Sequence, residues 1–493
     1  MQTPDSSPSA LAPQACSPCR IRKRRCDKAL PQCSNCARRR GDHPCDYSRP
    51  DPQTPSAEPP WCEDDQTDFQ TLDFPTALFL DPSILQHGQL DLPRGAKPIP
   101  AHIQQLLGDA DEIRPFVDGF FGNIHPWMPF VSKKRVYGLY LRPSRQSQPD
   151  TVLLLLALKL LTTRPPDPRS PRTALYYAVK HYYLDVENSN TFSVPVLQAG
   201  IVLSLYEVLH AIYPAAFLSI GACARYSHAL GINVSTHLNT KKVLTLVEVE
   251  ERRRAWWAIV ILDRFVSIGC PGRPFATTEP RLEDVLPVDD DAWDQGVLGL
   301  GEIHTLSTPM TSHMSKFALI CQAARLLGQV LDLVSRDTTV DEGISAQLDR
   351  TLHSMLTAAL NVSSPDHDQI AFIYSTIIAL YAPSLGSQSA DSAGKPYLQR
   401  ANATAEFVTA TISVNLIEQQ CQIGRNPERM SPWGLFFAYH ICRVHLRSRR
   451  SSSVSAEIVR SLTHTFQNVA TRWNIASVYL QLLEAYEAMD KNQ

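Results

Sequence analysis

Six of the twelve cysteines in this 493-residue chain stand within thirty residues: Cys16, Cys19, Cys26, Cys33, Cys36 and Cys45, spaced C-x2-C-x6-C-x6-C-x2-C-x8-C. A segment that short cannot bury enough apolar surface to fold unaided, so something must cross-link it. The stretch ahead of it, residues 1–15, is polar and rich in Ser and Pro, lacks the charged start and apolar run of a secretory signal, and is expected to be disordered. With no export signal and the other six cysteines scattered singly, the crowding favours metal over disulfides. Zinc takes four tetrahedral ligands, and thiolate suits it well. Six sulfurs therefore serve one ion with two to spare, or two ions if two sulfurs are shared. The segment is also a rough duplication, CSPCRIRKRRC followed by CSNCARRRGDHPC, and in each half C-x2-C points two thiolates from the first turn of a helix. A duplicated half-site fits two ions better than one, and binding them supplies most of the folding free energy.

Charge says what such a unit faces. Between Cys16 and Arg49 there are ten Lys or Arg against three Asp, a net +7, which leaves −9 for the rest of a chain whose total is −2. Six thiolates with two divalent ions leave about +5 on the unit, concentrated on Arg20, Arg22, Lys23, Arg24 and Arg25 and on Arg38, Arg39 and Arg40. Phosphate is the natural partner of such a face. The competing reading is a zinc-stapled module that contacts other proteins. A RING-type fold is disfavoured because it needs eight ligands.

The whole segment, CSPCRIRKRRCDKALPQCSNCARRRGDHPCDY, resembles the fungal binuclear zinc cluster family, Zn2Cys6, of transcription factors. It matches in all six cysteines, in the basic run after the second and in the proline before the fourth. The resemblance implies two zinc ions between two short helices. Cys16 and Cys33 would bridge the ions, Cys19 and Cys26 would complete one site, Cys36 and Cys45 the other, and Pro31 would shape the joining loop. It also places Lys23 where members of the family read a CGG triplet, with Arg22 the neighbouring candidate. A helix in the major groove reads guanine O6 and N7 with one or two long side chains, so Arg20, Arg24, Arg25 and Lys28 are expected on phosphates. Arg22 to Arg25 can also serve as a nuclear import signal. His43 reads as a loop residue, since six cysteines already suffice.

Residues 48–111 carry ten prolines from Pro50 to Pro100 and read as a linker. Within it, residues 61–85 interleave Asp and Glu with aromatics and leucines, a composition that suits an acidic activation segment and equally a linker docked on a folded domain. No apolar heptad follows the cluster, so pairing through a coiled coil is not expected; the chain binds as a monomer or forms a homodimer through its larger domain.

Helix-period apolar segments fill residues 112–294 and continue through 295–493 with no competing strand alternation, so the large part is expected to be all-α. Phe120 to Tyr137 (FFGNIHPWMPFVSKKRVY), Glu250 to Ala276 (EERRRAWWAIVILDRFVSIGCPGRPFA) and the acidic LPVDDDAWD beyond them resemble the middle homology region, the fungus-specific domain that accompanies this cluster and implies a regulatory role. Asp263 and Arg264 read as a structural ion pair, and Arg252 to Arg254 as a solvated or paired face. The most apolar runs are too short or too interrupted by charge to span a membrane. No H-E-x-x-H, P-loop or G-x-S-x-G occurs, and six thiolates leave zinc no open position, so an enzyme is not expected. The expectation is a nuclear, sequence-specific transcription factor of RNA polymerase II genes, pathway-specific as for a biosynthetic gene cluster. It would bind double-stranded DNA and recruit coactivators or corepressors. The alternative is a regulatory scaffold that never touches DNA.

Overall fold

The computed structural model describes residues 11–12, 14–21, 24–38, 45–47, 76, 79–80, 98–189, 191–232, 244–298, 303–308, 314–335, 342–361, 365–386, 424–448 and 452–491. The chain divides into two compact units, Met1–Gln70 and Thr71–Gln493. The described residues of the smaller hold two short helices, α1 (Ser17–Ile21) and α2 (Ser34–Ala37). Every regular element described in the larger unit is helical, and the described residues hold only isolated bridges in place of strands.

The core of the larger unit forms around two helices that are apolar on all sides and therefore buried on all sides. These are α5 (Pro149–Thr162) and α7 (Val194–Leu209), each with a proline in its first turn, where the missing N–H costs nothing. They pack on each other. Around them lie α3 (Ala101–Leu107), α4 (Ala110–Asn123), α6 (Ala174–Glu187), α8 (Ala215–Ala229) and α9 (Leu246–Val266). The long helix α9 starts on a capping box: the Thr245 hydroxyl accepts from the Glu248 N–H at 3.3 Å, and the Glu248 carboxylate accepts from the Thr245 N–H at 3.0 Å. A short helix, α10 (Asp290–Gln295), ends on Gly296, whose φ of +65° suits glycine at a left-handed cap.

Six further helices are described in the unit: α11 (Lys316–Val334), α12 (Glu342–Leu360), α13 (His367–Gly386), α14 (Pro432–Ser448) and the hairpin α15 (Ser453–Ala470) with α16 (Asn474–Lys491). Contacts run from α9 to α11, on to α12 and α13, then to α14 and the hairpin. Among the described helices α11 alone has the length and hydropathy to cross a membrane, and 67% of that stretch is buried in the protein.

One difference from the sequence reading has a plain cause. The stretch expected to be linker up to residue 111 already contains α3, whose Ile103 and Leu107 are in the core: Pro98 and Pro100 forbid a helix through them but not one that starts after them. Of residues 61–85 only Thr76, Phe79 and Leu80 are described, and the Phe79 ring stands edge-on to Phe192 at 6.2 Å. Residues Ile201 to Ile220 lie on two helices, parted at His210–Pro214, and residues Ser453 to Tyr486 likewise on two, parted at Thr471–Trp473.

Buried charges tie distant segments together. Arg254, fully buried on α9, donates from Nε to Glu250 at 2.9 Å, from Nη1 to Asp290 at 2.9 Å and the Pro129 carbonyl at 3.1 Å, and from Nη2 to the Val288 carbonyl at 2.7 Å. Its neighbour Glu251 takes bonds from Arg135 and from Gln198 Nε2. The three stretches singled out in the sequence thus meet at one place, where His125 also bonds Asp294 at 2.7 Å. Asp263 and Arg264 form the expected structural pair at 2.9 Å and share Thr277. At the turn of the hairpin, Arg472 is stacked 3.5 Å from the Trp473 ring; it donates to Glu428 at 2.6 Å and to the Leu161 carbonyl.

Removing one partner of a buried pair leaves the other charge uncompensated, at a cost of about 3–5 kcal/mol. Arg254→Ala is therefore expected to destabilise the larger unit by about that much in urea unfolding. The joint change Glu250→Gln with Arg254→Met should cost less than Arg254→Ala alone, while Thr245→Ala, which loses only a cap, should cost about 1 kcal/mol.

Candidate metal centre and nucleic-acid interface

Each half of the cysteine segment begins with a turn that its first cysteine opens. The Cys19 and Arg20 N–H groups donate to the Cys16 carbonyl at 3.1 and 3.0 Å, and those of Cys36 and Ala37 donate to the Cys33 carbonyl at 3.0 and 2.9 Å. Both cysteines of a C-x2-C pair therefore point from one helical turn toward the same space. Cys16 and Cys33 are completely buried, Cys19 almost so, and Cys26, Cys36 and Cys45 are partly covered.

The sulfurs form one knot. Cys16 Sγ lies 3.8 Å from Cys33 and 3.8 Å from Cys26, Cys19 lies 3.7 Å from Cys33, and Cys45 lies 3.9 Å from Cys33. Two sets of four have all their sulfurs within 4.8 Å of one another: Cys16, Cys19, Cys26 and Cys33, and Cys16, Cys33, Cys36 and Cys45. Cys16 and Cys33 belong to both. Sulfurs about 2.3 Å from a central zinc sit about 3.8 Å apart at the corners of a tetrahedron, so the spacing fits the ion. Cys19 and Cys36, from different sets, are also 3.8 Å apart, so the two sets are parts of one cluster.

Ionising such a knot needs a countercharge. Burial pushes the Cys16 thiol well up, and the hydrogen bond shared with Cys33, followed by burial, pushes Cys36 up to about 12, while against their own burial the donors around Cys33 and Cys45 hold those two thiols down. A divalent cation at the centre of each set reverses that preference, because thiolates then pair with positive charge. Donors from outside the set also help. The Cys33 N–H donates to Cys45 Sγ and the Cys36 N–H to Cys33 Sγ, both at 3.4 Å, and Asn35 Nδ2 donates to Cys19 Sγ at 3.6 Å.

A small frame surrounds the knot, and part of it corrects the expectation that residues 1–15 are disordered. Leu11 bridges to Ala29, the Ala12 N–H donates to the Lys28 carbonyl at 2.9 Å, and Ala12 is buried. Gln14 Nε2 donates to the Tyr47 carbonyl at 2.8 Å, and the Tyr47 hydroxyl to the Ala29 carbonyl at 2.6 Å. The chain before the first cysteine thus folds back over the joining loop; residues 1–10 lie outside the described residues. Sequence reasoning missed this arm, Tyr47, Asn35 and Asp27. Tyr47, an aromatic two residues after the last cysteine, was the available signal.

Among the residues expected on DNA, Arg20, Arg24 and Arg25 are exposed, as is Arg38. Lys28 is partly covered and has a φ of +61°, a left-handed conformation unusual for a side-chain-bearing residue. Arg22 and Lys23, expected to read bases, lie outside the described residues, as do Arg39, Arg40 and His43.

Comparison with known proteins agrees with this geometry. The Fungal Zn(2)-Cys(6) binuclear cluster domain matches residues 14–54, and the Fungal specific transcription factor domain matches residues 117–361. Transcription factor BOA15 of Botryotinia fuckeliana is 31% identical over 179 residues, 36% of this chain and 98% of that protein. The pigment biosynthesis transcriptional activator pigB of Monascus ruber is 23% identical over 406 residues, 75% of this chain and 71% of its own length. The azaphilone cluster-specific transcription factor azaR of Aspergillus niger is 24% identical over 349 residues, covering 64% of this chain and 71% of azaR. The chain belongs to the family of fungal Zn2Cys6 transcription factors, a family of DNA-binding regulators and not of enzymes, whose cluster domain binds two zinc ions.

Stripping the metal is expected to unfold the smaller unit, because thiols alone do not hold it. Dialysis against a strong chelator should remove about two equivalents of zinc per chain and expose the cluster cysteines to thiol reagents, while the helical far-UV signal of the larger unit persists.

Proposed function

We propose that the chain regulates RNA polymerase II genes in the nucleus by binding double-stranded DNA at CGG-type half-sites through residues 16–47. Cys16, Cys19, Cys26, Cys33, Cys36 and Cys45 hold the two zinc ions, with Cys16 and Cys33 shared. Lys23, with Arg22 beside it, reads guanine edges, and Arg20, Arg24, Arg25 and Lys28 bind phosphate and set register. The observation that carries this reading is the sulfur knot flanked by exposed Arg20, Arg24 and Arg25: a rigid, cationic surface on a unit too small for any chemistry of its own.

The rest of the chain acts as the regulatory body, with residues 112–294 and their extension 295–493 receiving coactivators or corepressors and providing the surface for any homodimer. Two similar proteins carry names tied to pigment biosynthesis and to an azaphilone cluster, which supports a pathway-specific role at a biosynthetic gene cluster.

Titrating zinc-loaded protein with CGG-containing duplex at several salt concentrations tests the reading. Affinity should fall steeply with salt, and Arg24→Ala or Arg25→Ala should each flatten the slope by about 0.9. Lys23→Ala should erase the preference for CGG over a scrambled triplet, a difference of about 1–3 kcal/mol. Zinc-loaded protein that ignores duplex altogether would leave the scaffold reading in its place.

A further inference from the structure

The duplication in the cysteine segment includes the residue that follows the first and the last thiol of each half. Each half opens Cys-Ser, at Cys16-Ser17 and Cys33-Ser34, and each closes Cys-Asp, at Cys26-Asp27 and Cys45-Asp46. In the fold these ends are exchanged between halves. The Ser34 N–H, first in α2, donates to both carboxylate oxygens of Asp27 at 3.1 Å, and the Ser34 hydroxyl donates to Asp27 Oδ2. The Ser17 N–H, first in α1, donates to the Asp46 carbonyl at 2.8 Å. Each half thus satisfies the first amide of the other half's helix, where unpaired N–H groups gather. Asn35 ties the same seam again through its bond to Cys19 Sγ.

The two ties rest on different atoms. Ser17 to Asp46 is main chain on both sides and is indifferent to side-chain identity, whereas the Asp27 tie depends wholly on a carboxylate. Electrostatics sharpens the point: an acid in a segment of net +7 weakens attraction to phosphate, so Asp27 does not serve DNA binding by its charge. We propose that Asp27 is the positioning residue that couples the two metal-binding halves, seating Ser34 and thereby fixing α2 and the directions of Cys33, common to both ligand sets, and Cys36. The proposal rests on the two-zinc reading of the cysteines and does not need the DNA reading.

The test uses the full-length zinc-loaded chain beside Asp27→Ala, Asp27→Asn and Ser34→Ala. Zinc remaining after timed exposure to excess chelator is measured by metal analysis. Asp27→Ala is expected to release zinc about tenfold faster than the parent, in the range seen for groups that orient metal ligands. Asp27→Asn, which keeps one acceptor oxygen, falls between them, and Ser34→Ala, which keeps the main-chain bonds, stays near the parent. Titration with CGG duplex should show Asp27→Ala weakened at unchanged salt slope, since no Lys or Arg is lost. Equal zinc retention by Asp27→Ala and the parent overturns the proposal, as does tighter duplex binding with undiminished zinc. An Asp27→Ala chain that cannot be loaded at all is the expected effect at its extreme, and Asp27→Asn then supplies the rate. If the parent ignores duplex while Asp27→Ala still sheds zinc faster, the DNA reading fails and the coupling stands.

Discussion

A guanidinium taken out of water loses hydration that only well-placed acceptors offset. Arg254 finds its acceptors on three stretches of chain: Glu250 one turn back on α9, Asp290 at the start of α10 with Val288 just before it, and Pro129 in the loop after α4. All must arrive together for the charge to be compensated. Apolar helices can slide over one another at modest cost, but directional bonds to a buried charge admit one register. The segments carrying the family's character, Phe120 to Tyr137, Glu250 to Ala276 and Leu286 to Asp294, are therefore the segments that this one side chain forces into contact.

The cysteine unit meets the opposite difficulty. Among its described residues the buried side chains are Ala12, Cys16, Cys19 and Cys33. Sulfur takes the place of a hydrophobic core, and the metal takes the place of the hydrophobic effect as the source of folding free energy. Such a unit can keep Arg20, Arg24 and Arg25 outward because none is needed inside. Small size and high positive charge, which would defeat an ordinary domain, are compatible here for that reason.

Much of this was legible from residue spacing. The expectation of two ions was readable from the duplicated cysteine pattern, while the grouping around Cys16 and Cys33 came only from the family it resembles. Helices such as α9 and α11 were legible because their apolar period spans several turns. What escaped the sequence depends on partners far along the chain. Nothing local marks Ala12 as a residue that pairs with Lys28, or Ser34 as one that answers Asp27. The break at His210–Pro214 carries a local signal in Pro214, whereas the one at Thr471–Trp473 has no proline or glycine to mark it. In the second case the turn residue is Arg472, which local reasoning places at the surface and tertiary contacts place inside.

That inverted turn bears on how the gene tolerates damage. Trp473 lies fully buried, its indole N–H donates to the Pro427 carbonyl at 2.7 Å, its ring meets His210 at 5.2 Å, and Asn474 donates to the His210 carbonyl at 3.1 Å. The turn into α16 is thereby wedged against α5 and α7. Losing residues 470–491 would trim no dispensable appendage; it would pull a keystone and open a gap between Leu161 and His210.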